Sequence, residues 1–193
     1  MKKFLFALML VIAVKGEAQR LDLGAKAGLN VSNFYGGDFD DVEKKSLVGF
    51  HGGVYLRFGI SKLSIQPEIL VSTQGAKIDS VSGSYKWRLT YVNVPVVAQY
   101  RFIGGFYVEV GPQFGFKIAD NIEDETISEF AKNMDIAIAF GCGFKTGKGL
   151  GVGVRYTAGI SKIGEFPSYT SINPDFKNGV FQLSLYIPLT TSK

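Results

Sequence analysis

Leu21-Asp22-Leu23-Gly24-Ala25-Lys26-Ala27-Gly28-Leu29-Asn30-Val31 alternates apolar residues with polar or bare ones without a break. Successive side chains of an extended chain point to opposite sides, so this period of two over eleven residues predicts a β-strand with one apolar and one polar face. The length is informative too. Strands of soluble domains run about five or six residues, whereas a tilted strand crossing a bilayer needs about ten.

The same pattern recurs in seven further segments. Val48, Phe50, Val54, Leu56 and Phe58 alternate with Gly49, His51, Gly53, Tyr55 and Arg57. Leu63, Ile65, Pro67, Ile69 and Val71 alternate with Gln66, Glu68 and Ser72. Val92, Val94, Val96, Ala98 and Tyr100 stand against Tyr91, Asn93 and Gln99. Phe106, Val108, Val110, Phe114 and Phe116 stand against Glu109, Gly111, Gln113 and Lys117. Ile136, Ile138, Phe140, Cys142 and Phe144 face Ala137, Ala139, Gly141 and Gly143, and Leu150, Val152, Val154 and Tyr156 face Gly151, Gly153 and Arg155. Phe181, Leu183, Leu185 and Ile187 against Gln182, Ser184 and Tyr186 complete a set of eight.

The connections sort into two kinds. Gly59 to Lys62, Ile103 to Gly105 and Thr146 to Gly149 are short, while the stretches after Val31, Thr73 to Lys86, Ile118 to Met134 and Gly159 to Lys177 are long. Short inner turns, long outer loops and an even strand count are the marks of an outer-membrane barrel. The faces agree. A soluble barrel would carry a water-facing surface rich in Lys and Glu, but here the second face is mostly Gly, Ala, Ser, Asn, Gln and Tyr. That composition suits an interior filled by its own side chains, with the apolar face turned to lipid. The expected fold is all-β: an eight-stranded antiparallel up-and-down transmembrane β-barrel.

The beginning of the chain supplies the route. Lys2 and Lys3, an apolar run from Phe4 to Val14, and Gly16-Glu17-Ala18 predict a secretory signal peptide over residues 1–18, with the barrel domain over 19–193. Eleven apolar residues rise only about 16 Å as a helix, too little for a hydrocarbon core of about 30 Å. Of the net charge of +4, Lys2, Lys3 and Lys15 against Glu17 supply +2, so the remainder is nearly neutral and has no basic block to hold nucleic acid. The single cysteine, Cys142, has no internal disulfide partner and falls on the apolar face.

Four stretches carry a family resemblance. Gln66-Pro67-Glu68-Ile69-Leu70-Val71-Ser72-Thr73-Gln74-Gly75-Ala76-Lys77 resembles the PorT-like outer-membrane β-barrel family of Bacteroidetes. So do Leu23 to Asn30, Tyr91-Val92-Asn93-Val94-Pro95-Val96-Val97 with Tyr100-Arg101-Phe102, and Gly111-Pro112-Gln113-Phe114-Gly115. The resemblance implies a small OmpX-like or OmpA-like barrel in the cell outer membrane, and some relatives are linked to protein export.

Chemistry is sparse. His51, the only histidine, lies on the polar face and reads as a lumenal packing residue rather than a general base, so no catalytic residue is expected. The acids Asp38, Asp40 and Asp41, and Asp120, Glu123, Asp124, Glu125 and Glu129, fit no calcium-loop spacing, and no metal or cofactor is expected. The glycines from Gly141 to Gly153 do not match a phosphate-binding loop. Tyr85, Trp87 and Tyr91 predict an outer aromatic girdle, with Tyr100 and Phe102 at the inner one.

The candidate site is the lumen. Arg57, Glu68, Glu109 and Arg155 lie on polar faces, and lone charges in a narrow protein-lined space are costly, so an ion-pair network joined by Tyr55 or Gln113 is expected, without a continuous pore. The functional expectation is a non-enzymatic barrel with a structural, adhesive or export-accessory role through its outer loops. A narrow porin for small solutes is the alternative, and a membrane-embedded lipid hydrolase the third. Expected partners are outer-membrane lipid and lipopolysaccharide, the barrel-assembly machinery, and envelope or secretion proteins.

Overall fold

A computed structural model describes residues 19–36, 43–80, 83–122, 134–161 and 176–191. The expected leader, residues 1–18, lies outside the described residues, as do the acids Asp38, Asp40, Asp41, Glu123, Asp124, Glu125 and Glu129. The strands are β1 (Gln19–Gly36), β2 (Glu43–Ile60), β3 (Leu63–Ser80), β4 (Gly83–Arg101), β5 (Phe106–Ile122), β6 (Met134–Lys145), β7 (Gly151–Gly159) and β8 (Phe176–Thr191). Each pairs antiparallel with its chain neighbour, and β8 returns to β1 to close the barrel. No described helix is long and apolar enough to cross a membrane. The crossing is made by strands, which closure leaves without a free edge in the hydrocarbon.

Burial follows the parity of the sequence and inverts the rule of soluble proteins. Leu29 is 56% exposed while Asn30 beside it is 0% exposed. Phe50, Ile69, Val110, Phe140 and Leu183 face outward, and Lys26, Glu68, Glu109 and Arg155 are buried. Parity outranks polarity: Leu70, Leu89 and Val97 point inward and are fully buried, because each sits on the inward register of its strand.

The inner turns are tight. Ser61 adopts φ 56°, and Gly104 and Gly105 adopt φ 83° and 91°, the left-handed conformation glycine takes without a Cβ penalty. Two other glycines make room for a ring. A Cβ on Gly143 would lie 2.6 Å from the Tyr107 hydroxyl oxygen and 2.4 Å from the Val152 carbonyl oxygen, and one on Gly153 would lie 2.4 Å from the same hydroxyl. Gly143→Val is expected to lower stability by about 1–3 kcal/mol in urea unfolding in micelles. Gly147→Val, in a turn with nothing within 4 Å of its Cβ position, serves as the neutral control; equal stabilities would mean that the Tyr107 ring does not occupy this gap.

The outer side differs from the sequence reading. Thr73 to Lys86, read as a loop, is a continuation of β3 and β4 joined across residues 81–82, with Thr73 paired to Thr90 and Lys77 to Lys86. The connection from β1 to β2 is likewise only residues 37–42, not the long stretch expected after Val31. Outward positions turn polar above Val31, Val48 and Val92, at Asn33, Ser46 and Thr90. Apolar alternation therefore ends where lipid ends, while backbone pairing continues beyond it.

Candidate functional site

All eight strands send side chains into one buried polar layer. Arg155 on β7 is its hub: Nη1 and Nη2 donate to Glu68 Oε2 and Oε1 at 2.8 and 2.7 Å, and Nε donates to Glu109 Oε1 at 2.7 Å. The planar guanidinium fork matches a carboxylate bidentately, which is why arginine rather than lysine suits this position. Lys26 Nζ donates to Glu68 Oε2 at 3.1 Å, and the amides of Gln66 and Gln99 donate to Glu68 Oε1 at 2.7 Å and Glu109 Oε2 at 2.8 Å. Lys145 Nζ donates to Gln66 Oε1 at 2.9 Å.

Three cations, Lys26, Lys145 and Arg155, thus face two carboxylates, Glu68 and Glu109. The surplus positive charge rests on Lys145, whose ammonium stands 4.2, 4.9 and 5.3 Å from the ring centroids of Tyr186, Tyr107 and Tyr55. Ring faces carry negative quadrupole density, so three of them offset a cation that has no carboxylate of its own. The rings also meet one another edge-on, Tyr186 lying 5.7 Å from Tyr55 and 6.2 Å from Tyr107. Lys26, Glu68 and Arg155 are each at most 1% exposed, so the layer is a plug across the lumen.

Of the four charges singled out from sequence, Glu68, Glu109 and Arg155 meet in this layer. Arg57 does not join it: its Nε donates to Asp22 Oδ2 at 2.9 Å as a separate pair nearer the inner mouth. Tyr55 takes part as a ring face under Lys145 rather than as a hydrogen-bonding link, and Gln113 lies outside the network with its side-chain oxygen unpartnered. Lys26, Gln66, Gln99, Lys145, Tyr107 and Tyr186 were not singled out, although strand parity puts every one of them on an inward face.

A second cluster lies in the lumen beside the first. Asn30 Nδ2 donates to Ser72 Oγ at 2.9 Å and to the Thr73 and Phe50 carbonyls at 3.0 and 3.2 Å, which turns Asn30 Oδ1 toward His51 Nδ1 at 2.7 Å. Nδ1 must then carry the proton, and Nε2 accepts from the Ser184 hydroxyl at 2.9 Å. The order Ser–His–Asn is that of a hydrolase, but Ser184 is 2% and His51 3% exposed, so substrate has no approach to the hydroxyl. The arrangement satisfies buried polar groups.

Tyr91 also corrects an expectation: it is buried in the lumen and belongs to no outer girdle, while the side chains of Tyr85 and Trp87 lie outside the described residues. Tyr100 and Phe102 do face outward at the inner end, ring centroids 5.0 Å apart. Cys142 is exposed on the outer wall. Among the described residues no three metal-ligating side chains gather.

Comparison with known proteins agrees with this architecture. Residues 16–165 match the family model described as an outer membrane protein beta-barrel domain. No curated protein sequence matches the chain. Among solved structures, OprG of Pseudomonas aeruginosa superposes with a TM-score of 0.58 at 12% identity, covering 89% of this chain and 94% of that one. Neisserial surface protein A gives 0.53 at 12% identity, with 86% and 96% covered. Ail of Yersinia pestis, solved in complex with the heparin analogue sucrose octasulfate, gives 0.52 at 16% identity, with 88% and 99% covered. At these identities the likeness is one of fold. The chain belongs to the outer-membrane β-barrel protein family and resides in the cell outer membrane.

Proposed function

We propose that this barrel is neither an enzyme nor a pore, and that it acts through its outer rim in a structural, adhesive or export-accessory role. The observation that carries this reading is the β3–β4 hairpin, which continues for about nine residues per strand beyond the last outward apolar pair, Val71 and Val92. At about 3.3 Å per residue, that is roughly 30 Å of paired strand standing clear of the hydrocarbon. A paired hairpin is already ordered and loses little entropy when a partner binds it, unlike a loose loop. The four stretches that resemble PorT-like barrels support placing the chain in that group and, through it, the export-accessory option within the reading. Lipopolysaccharide around the outer rim, the assembly machinery during insertion and an envelope or secretion protein at the hairpin are the partners it implies.

The test is complementation. In cells lacking the gene, wild-type protein should restore adherence to surfaces or release of secreted proteins, whichever is lost. A barrel whose hairpin is shortened to a two-residue turn near Thr73 and Thr90 should fold, judged by a heat-sensitive shift in electrophoretic mobility, yet restore neither. Full restoration by the shortened barrel would refute the reading.

A further inference from the structure

We propose that the inner end of β5, β6 and β7 binds one anionic phospholipid of the inner leaflet, an acyl chain lying in a groove on the outer wall and the phosphate meeting Lys148 at an acid-free rim. The groove has a volume of about 400 Å³ and is lined by Phe102, Phe106, Val108, Cys142, Phe144 and Val152, with Val154 and Leu183 at its upper end. That lies within the roughly 300–1,000 Å³ of small-molecule sites. Its shape has a cause in the sequence. Cys142, Val108, Val152 and Val154 are small outward side chains beside a bulky aromatic pair, Phe106 and Phe144, whose rings meet edge-on at 5.3 Å. Wide aromatic edges flanking short side chains leave a channel in a wall that faces lipid.

Charge identifies the occupant. The inner rim, over residues 19–21, 59–64, 100–106, 145–150 and 188–191, carries Arg20, Lys62, Arg101 and Lys148 and no Asp or Glu. The nearest acid among the described residues, Asp22, points into the lumen and is paired with Arg57. Lys148 is exposed in the turn directly below the paired residues Phe144 and Val152. Arg101 lies on the inward register of β4, beside Arg57 and Asp22 at the inner mouth of the lumen, which leaves Lys148 as the rim cation under the groove. An apolar groove opening onto a rim with cations and no acids matches an acyl chain ending in a phosphate, and the headgroup level is where such cations attract anionic lipid. Lys145, by contrast, is turned inward into its tyrosine cage and takes no part.

The experiment is native mass spectrometry of the folded protein released from micelles containing equal phosphatidylglycerol and phosphatidylcholine. Wild type should retain one phosphatidylglycerol. Val152→Trp, which fills the groove, should cut that retention at least tenfold, whereas Ile69→Trp, on the wall formed by β3, should not. Lys148→Glu should keep a bound lipid but lose the preference for phosphatidylglycerol. If Val152→Trp does not assemble, reaction of folded wild type at Cys142 with a maleimide fills the same groove and should have the same effect. Equal retention in wild type and the filled groove, equal loss in Ile69→Trp, or an unchanged headgroup preference in Lys148→Glu would overturn the proposal.

Discussion

Arg155→Met is expected to destabilise the folded barrel by about 3–5 kcal/mol, because it strands buried carboxylates without their main partner. The guanidinium makes three of the hydrogen bonds to Glu68 and Glu109, and Lys26 reaches only Glu68. Glu109 is left with the Gln99 amide, a neutral donor. Removing the stranded acid at the same time relieves part of the penalty while leaving the Lys26–Glu68 pair intact, so Glu109→Gln in the Arg155→Met background should recover part of the loss. Reversible urea unfolding in micelles, followed by the fluorescence of the single tryptophan, measures both. A single-variant loss below about 1 kcal/mol would place these side chains in an environment as wet as a protein surface.

Leu185→Arg is expected to cost about 2–4 kcal/mol, and Ile160→Arg about 0–1 kcal/mol, since the penalty for a charge on the lipid face falls from the bilayer midplane to its edge. Leu185 is 55% exposed at the middle of the outward series from Phe181 to Leu189, and Ile160, 52% exposed, lies just beyond the outer end of β7. The two are equally accessible, so accessibility alone predicts equal effects. Only a bilayer separates them by depth, and the same unfolding assay in phospholipid vesicles reads the difference.

How far the sequence was legible depends on which physical constraint wrote each feature. Lipid on one side and a crowded lumen on the other impose a strict period of two, so the faces of Leu29 and Asn30, or of Val154 and Arg155, were readable from alternation alone. Strand length was not. Above Val71 and Val92 the apolar alternation fades, and a paired strand reads as a polar loop.

In the lumen, the inward charges were visible but their heights were not, because stagger between strands sets which of them meet. Arg57 and Arg155 are alike in sequence, yet one meets Asp22 and the other Glu68 and Glu109. Lys145 escaped notice because it follows the last apolar residue of its strand and borders a turn, where a lysine ordinarily reaches for water. Its burial depends on three tyrosines from β2, β5 and β8, a cage assembled only by closing the barrel.

The plug formed by Lys26, Glu68, Glu109, Lys145 and Arg155 is tested most directly by inserting purified protein into planar lipid bilayers and recording current under an applied voltage. A lumen sealed across all eight strands predicts an electrically silent membrane, with the fold of the protein verified by its heat-sensitive electrophoretic shift after reconstitution into vesicles that are then fused to the bilayer. Stable unitary conductance steps from the wild-type barrel would contradict it and make the protein a channel.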